Sequence, residues 1–303
     1  MIADQMDSQR YLDRINYAGP TAPAAGTLRA LHLAHLRSVP FENLDIHLGR
    51  PIRLDRAALY EKFVLNRRGG FCYEQNGLFS WLLQQLGFDV TLLEASVMGD
   101  DGRFGPPFDH LTLRVLCPAD PDQPALPWLA DVGFGDSFRQ PLRLDRLGVP
   151  QQEGARAYQI DEADGSLLLQ QREPDGKWEK QYRFTRQPRR LADFAEMCMY
   201  HQTSPHSHFT QRRVCSLATA NGRLTLSEQK LIITESGKRR ERVVGEDEYQ
   251  TLLEECFVIK LDKERYIAVL PLKKSWCSSY VVREREVKLQ VHSEGSCLAA
   301  VSI

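Results

Sequence analysis

The sequence has no apolar run approaching the ~20 residues that a membrane-spanning helix requires, so a transmembrane helix is excluded. Its opening, MIADQMDSQRYLDRI, lacks the basic region followed by an apolar stretch that marks a secretory signal. Neither charge is in excess: 39 Lys and Arg stand against 40 Asp and Glu, a net charge of -1. That balance gives no global reason to expect nucleic acid or an anionic membrane as partner. Internal repeats and low-complexity linkers are absent. Cysteine is sparse and poorly placed for structural work. The seven cysteines lie at 72, 117, 198, 215, 256, 277 and 297, without a CxxC or a Cys/His ligand pair. An odd number at wide spacing makes both a disulfide framework and a zinc site poor readings. Reduced thiols of a cytoplasmic protein fit better, which leaves one of them room to act as a nucleophile.

What is present is an ordinary globular composition: 303 residues, 42% apolar and 26% charged, enough for a large core and two or three layers. The first ~90 residues read as helical. Ser8 is placed to cap a short helix, Thr27 to cap LRALHLAHLR before Pro40 stops it, and Asp55 to cap RAALYEKFVL. Leu54 and Leu59 occupy the two positions of a hydrophobic staple. CYEQNGLFSWLLQQL follows, with Leu78, Phe79, Leu82, Leu83 and Leu86 on one stripe and Gly87 as its stop. Beyond ~90 the segments DVTLLEASV, HLTLRVLC, PWLADVGF, GSLLLQQRE and WEKQYRF read as strands. A short helix around LADFAEMCMY comes next, then strands VCSLAT, GRLTL, KLIIT and RERVV. EDEYQTLLEECF reads as a late helix whose acidic start suits its dipole.

The segment RRGGFCYEQNG carries the most chemistry. Two glycines make a turn, and an apolar-periodic helix begins directly after it. Cys72 therefore falls at a helix N-terminus, where free N–H groups and the dipole favour a thiolate and lower its pKa. Those N–H groups can also serve an oxyanion, and Arg67 and Arg68 can add positive potential. The plain alternative, a small buried apolar cysteine, is the common case for a lone Cys. The Gly-Gly-aromatic-Cys context favours the nucleophile. A nucleophilic thiol needs a base, and the base needs an orienting group. His110 opens the strand HLTLRV after the loop GRFGPPFD. Asp131 interrupts the apolar LADVGFG, where a carboxylate is costly unless paired. Alone, each could be structural. Together they form a Cys-His-Asp series.

RGGFCYEQNG, DHLTLRV and DVGFGDS, in that order, resemble the arylamine N-acetyltransferase family, as do the upstream VPFENLDIHLGRPI and the later HQTSPHSHFT. The likeness runs from about residue 8 to about residue 270. It implies an α+β fold with a helical bundle over about 1–89, a β-barrel over 90–190 and an α/β lid over 191–303. It also implies ping-pong transfer of acetyl from acetyl-coenzyme A, as co-substrate, to an arylamine, arylhydrazine or N-hydroxyarylamine. By that likeness Cys72, His110 and Asp131 are the catalytic triad, and Phe41, Val97 and Phe134 line the acceptor pocket. Gly133, Gly135 and Ser137 match the loop near the coenzyme phosphates, and Thr203 and Phe209 match the lid stretch that meets coenzyme A. On the residues alone, Phe41 and Phe134 read equally well as core aromatics, and the glycines as turn formers. GFGDS is not a dinucleotide fingerprint. His201, His206 and His208 sit in a polar stretch without partner acids or cysteines, so no metal is read there.

The nearest rival is a thiol hydrolase or transglutaminase-like enzyme with the same Cys-His-Asp order, or an amide synthase on the same fold. From another class, the chain could be a silent binding module, against which the intact triad argues. Past about residue 270 the family likeness ends. There LKKSWCSSYVVREREVKLQVHSEGSCLAAVSI is either a genuine final strand and tail or an altered end.

Overall fold

The structure is a computed structural model that describes residues 6–118, 124–173 and 175–261. The final ~30 residues, which differ in pattern from the rest of the sequence, lie outside the described residues.

The N-terminal half-shell is helical. Helix α1 (Ser8–Arg14) is capped by Asp7, whose side chain accepts from Gln9 N at 2.8 Å, so Ser8 is its first residue and not its cap. Helix α2 (Ala25–Ser38) starts before Thr27 and has no side-chain cap at Ala24. Thr27 is instead buried inside its first turn. The helix does end at Ser38, ahead of Pro40, because a pre-proline residue resists helical geometry. After a two-residue strand β1 (Phe41–Glu42) and the single turn α3 (Leu44–His47), Asp55 caps α4 (Arg56–Tyr60) by accepting from Ala58 N at 2.9 Å. Helix α4 runs on into a π-helical turn, Glu61–Leu65.

Helix α5 (Cys72–Gln85) is the axis of the molecule. Leu78, Phe79, Leu82 and Leu83 are buried as the apolar period predicts. The polar residues between them are buried as well: Glu74, Gln75, Asn76 and Ser80. Each is hydrogen-bonded, which removes most of the cost of burying it. Gly87 ends the helix in the left-handed region, with φ +87°.

Eight antiparallel strands form the middle layer: β2 (Asp89–Val97), β3 (His110–Cys117), β4 (Leu126–Ala130), β5 (Leu142–Arg143), β6 (Gln151–Glu153), β7 (Arg156–Ala163), β8 (Ser166–Arg172) and β9 (Trp178–Phe184). Their order is β5-β4-β3-β2-β9-β8-β7-β6. The end strands β5 and β6 meet through a side chain: Arg143 N donates to Gln151 Oε1 at 2.7 Å, and Gln151 Nε2 donates to Arg143 O at 2.9 Å. The sheet is thus a nearly closed barrel whose last seam is an amide side chain rather than a backbone ladder. Tyr158, Ile160, Leu167, Leu169 and Tyr182 fill it. Strand β3 serves two layers. Leu111, Leu113 and Val115 belong to the core shared with α2 and α5, so His110 and Thr112 turn to the opposite, barrel side by strand alternation.

A turn of 3₁₀ helix (Leu191–Phe194) leads into α6 (Ala195–Thr203) and α7 (His208–Gln211). A second sheet follows, in the order β1-β10-β11-β12-β13, from β10 (Val214–Ala218), β11 (Gly222–Ser227), β12 (Lys230–Glu235) and β13 (Lys238–Val243). Helix α8 (Glu246–Phe257) covers it with Tyr249, Leu252, Leu253 and Phe257, a helical spacing that fills the third core. Because β1 pairs with β10, Phe41 opposite Ser216, and Phe41 also bridges to Gly70, the N-terminal layer and the last sheet are stitched together beside the segment that leads into Cys72. No described helix is long and apolar enough to cross a membrane.

Candidate active site

Cys72 is the first residue of α5, as expected. The glycines before it act differently from expectation. Neither has positive φ; each permits a close approach. A Cβ on Gly69 would overlap Pro40 O, and one on Gly70 would collide with the Glu74 carboxylate. That carboxylate accepts from Phe71 N at 3.1 Å and from Lys62 Nζ at 2.7 Å, so Glu74 ties down the entry to the helix.

His110 and Asp131 meet at 2.6 Å through His110 Nε2 and Asp131 Oδ2. His110 opens β3, and Asp131 stands one residue past the end of β4, not inside a strand. The carboxylate is held from every side. Asn76 Nδ2 donates to Oδ1 at 2.8 Å, Gly133 N to Oδ1 at 3.0 Å, and Tyr182 OH to Oδ2 at 3.0 Å. Asn76 also takes Val132 N–H at 2.9 Å and donates to Leu111 O at 2.6 Å, so helix α5 itself clamps the His and Asp strands together. Phe134 packs edge-on to His110 and Tyr182, at 5.1 and 4.8 Å between ring centroids.

The electrostatics follow from this packing. Burial pushes the Asp131 carboxyl up, but His110 and the donors from Asn76 and Gly133 outweigh it and hold Asp131 below the ordinary carboxylate value. Burial, with the nearby charges of Asp109 and Asp131, pushes the Cys72 thiol well up, and a hydrogen bond from the Leu111 backbone N–H pulls it partly back. The lowered thiol expected from the helix N-terminus is therefore reversed: desolvation wins in so enclosed a site. Arg68 does not help Cys72 either. It is buried against Glu42 at 2.7 Å and Asp45 at 3.1 Å, so those carboxylates neutralise its charge, while Arg67 faces solvent.

The remaining expected residues fall in two groups. Gly133 packs on the first turn of α5: a Cβ there would stand 2.8 Å from Cys72 Cα and 2.8 Å from Asn76 Nδ2. Gly135 is in the left-handed region, its carbonyl taking Arg223 Nη2 at 2.5 Å, and Ser137 Oγ is buried without a hydrogen-bond partner. Val97, at the end of β2, is paired with Tyr182. On the other side of Cys72, Phe209 packs on Phe71 at 5.4 Å and on Phe41 at 6.2 Å. Thr203 is exposed at the end of α6, its hydroxyl donating to Met199 O. Among the described residues no His, Cys, Asp or Glu group could hold a metal ion, and no disulfide joins Cys72, Cys117, Cys198 or Cys215.

Sequence reasoning missed the supports. His32, on α2, bridges Arg139 O at 2.9 Å and the Asp131 backbone at 3.1 Å. His35, one turn on, links Tyr11 OH at 2.9 Å to Gln75 Oε1 at 2.6 Å. Burial lowers their pKa values, to about 4 for His32 and about 3 for His35, so both work as neutral hydrogen-bond junctions. The signal was available: both lie on the apolar face of LRALHLAHLR, where an unpaired imidazole would be costly.

The structure thus sets a buried thiol at a helix N-terminus and a carboxylate-paired imidazole on one frame, joined through Asn76 of the helix that begins at Cys72. The N-acetyltransferase family model matches residues 25–266, and the chain belongs to that family. It is 38% identical to an arylamine N-acetyltransferase of Mycolicibacterium smegmatis over 77% of this chain and 84% of that protein. It is 33% identical to a pineal gland isozyme of arylamine N-acetyltransferase from Gallus gallus, over 86% of this chain and 96% of that one. Among solved structures, the Mycobacterium marinum arylamine N-acetyltransferase in complex with CoA superposes with a TM-score of 0.78 at 32% identity, covering 87% of this chain and 98% of that chain.

Proposed function

We infer that this protein transfers acetyl from acetyl-coenzyme A to arylamines through a thioester on Cys72. The observation that carries the reading is the 2.6 Å His110–Asp131 pair, clamped by Asn76 from the helix that begins at Cys72. Family membership and the CoA-bound relative support the donor and acceptor classes.

In this reading Asp131 fixes His110 through Nε2, which leaves Nδ1 as the base. His110 takes the thiol proton, sulfur attacks the acetyl carbonyl, and the C–S bond to coenzyme A breaks as its thiolate takes that proton. The arylamine nitrogen then attacks the Cys72 thioester, gives its proton to His110, and Cys72 leaves to recover it. Passing the proton to His110 rather than to solvent keeps the net charge of the buried site constant. That is how a thiol raised by burial and by two carboxylates can still be used. The first-turn N–H groups of α5 are available as donors for the oxyanion.

Phe134, against His110, and Phe41 and Val97 on either flank supply apolar surface for an aromatic acceptor, an arylhydrazine or N-hydroxyarylamine included. Gly133, Gly135, Ser137, Thr203 and Phe209 are assigned to coenzyme A. The buried, unpartnered Ser137 hydroxyl supports that assignment, since a polar ligand atom would satisfy it. The test is steady-state kinetics with acetyl-coenzyme A and an arylamine panel, with Cys72→Ala as control. Parallel double-reciprocal lines, absent in the variant, are expected. Intersecting lines, or activity that survives in the variant, refute the reading.

A further inference from the structure

A second carboxylate–imidazole pair lies beside the nucleophile, outside the triad. His201, in the last turn of α6, is only 7% exposed. Its Nε2 stands 3.2 Å from Asp109 Oδ1, within ion-pair range but without hydrogen-bond geometry. Its Nδ1 is 3.0 Å from Ser207 Oγ, and that hydroxyl accepts from Phe209 N at 3.2 Å. Ser207 Oγ thus sits between His201 Nδ1 and Phe209 N. A connected chain therefore runs from Phe209 through Ser207 and His201 to Asp109, the residue before His110.

The chain is anchored at both ends. Asp109 Oδ2 accepts from Val97 N at 3.3 Å. The Asp109 backbone carbonyl, with that of Phe108, accepts from Tyr73 OH at 3.1 and 2.7 Å, and Tyr73 directly follows Cys72. The His201 ring packs on Tyr73 at 6.0 Å and on Phe209 at 5.2 Å, and Phe209 packs on Phe71.

We propose that Asp109 and His201 are positioning residues of the acyl-donor step, holding the stretch from Thr203 to Phe209 against the Cys72 end of α5 so that the incoming thioester meets the sulfur. The proposal rests on reading Cys72 as the acyl carrier and that stretch as a coenzyme A contact. Neither side chain forms a bond to the acetyl group. They act by fixing Ser207 and Phe209, and Asp109 also sets the local charge that Cys72 experiences together with Asp131.

The experiment compares His201→Gln, Asp109→Asn and the double variant with wild type, each shown folded by melting. Without substrate, hydrogen exchange at residues 203–210 is expected to quicken at least tenfold in both single variants, and no further in the double. In rapid-mix acetylation of Cys72, the acetyl-coenzyme A concentration giving half-maximal rate rises about tenfold in the single variants. Deacetylation of preformed acetyl-enzyme by an arylamine stays within twofold. Iodoacetamide alkylation adds a readout that a purely structural role would not split: its pH midpoint falls in Asp109→Asn, which loses a negative charge, and does not fall in His201→Gln. Unchanged exchange, additive effects in the double variant, or equal movement of both midpoints overturns the proposal. If wild type itself takes no acetyl on Cys72, the functional reading fails, while exchange and alkylation still decide the Asp109–His201 link.

Discussion

Gly133 crosses the first turn of α5 so closely that a Cβ on it would stand 2.8 Å from Cys72 Cα and 2.9 Å from Cys72 O. The strand end that delivers Asp131 and the helix that delivers Cys72 are thus in backbone contact, and only glycine fits between them. Gly133→Ala should force them apart and lower the rate of Cys72 acetylation at least a hundredfold, with a clear fall in melting temperature. Gly135→Ala meets no atom within 4 Å, so its cost in stability is only the strain of its left-handed backbone, roughly 1–2 kcal/mol. Rapid-mix acetylation and melting of the two variants check the contrast. Equal losses would mean that the loop matters as a unit rather than through this contact.

Asp131→Asn should leave a folded protein with kcat lowered by about three to four orders of magnitude. The corresponding change in the serine protease triad costs about 10⁴ in rate, because the imidazole is left in the wrong tautomer. The replacement amide oxygen can still accept from Asn76 and Gly133, while its NH2 turns a donor toward His110 Nε2 and Tyr182 OH, which removes the charge and favours the wrong His110 tautomer. Melting and turnover are measured together. A well-folded variant with near-normal kcat removes Asp131 from the mechanism.

Burial pushes the Cys72 thiol up, so its reactivity near neutral pH depends on handing the proton to His110. Iodoacetamide alkylation of wild type should show a pH midpoint at least one unit below that of His110→Gln. Coincident midpoints would show that His110 does not take the proton.

The buried histidines make stability depend on pH with a definite sign. Above pH 6.5, His35 is neutral in both folded and unfolded chains. Below it the unfolded chain takes a proton that the folded chain refuses until about pH 3, so stability falls by about 1.4 kcal/mol per pH unit. His32, held down to about 4, adds a second such slope. Glu74 opposes them: burial raises its carboxyl from 4.5 to about 7, so the folded chain binds the extra proton in that window. From these three groups alone the net loss between pH 6.5 and 4.5 is roughly 1.4 kcal/mol per unit, and His47, also held below its ordinary value by burial, adds to it. Urea unfolding should give a shallower profile for His35→Gln than for wild type, and a steeper one for Glu74→Gln. Three parallel profiles would contradict this assignment.

Periodicity made the ends of β2, β3 and β9, the late helix α8 and the start of α5 legible, because each buries a repeating apolar face. It gave no sign of β7, whose Arg156–Ala163 mixes acids and glutamine with its buried Ala157, Tyr158 and Ile160. Nor did it show the closure of the barrel, which depends on one glutamine side chain. Cys72 stood out through its Gly-Gly-aromatic setting at a helix start and Asp131 as an acid in an apolar stretch, while His110 gained weight only together with them. The clamp of Asn76, Tyr182 and His32 did not, since single polar residues in apolar segments acquire meaning only from partners far along the chain. The thiol's electrostatics were misjudged for a related reason: a helix N-terminus is visible in sequence, and the depth at which it is buried is not.

Whether Cys72 carries the acetyl group is tested most directly by intact-protein and peptide mass measurement after brief mixing with acetyl-coenzyme A alone, before any arylamine is added. The predicted result is one acetyl group per chain, on Cys72, lost on adding an arylamine and absent from Cys72→Ala and from Asp131→Asn at the same mixing time. A chain that turns over arylamine while never holding acetyl on Cys72 would contradict it.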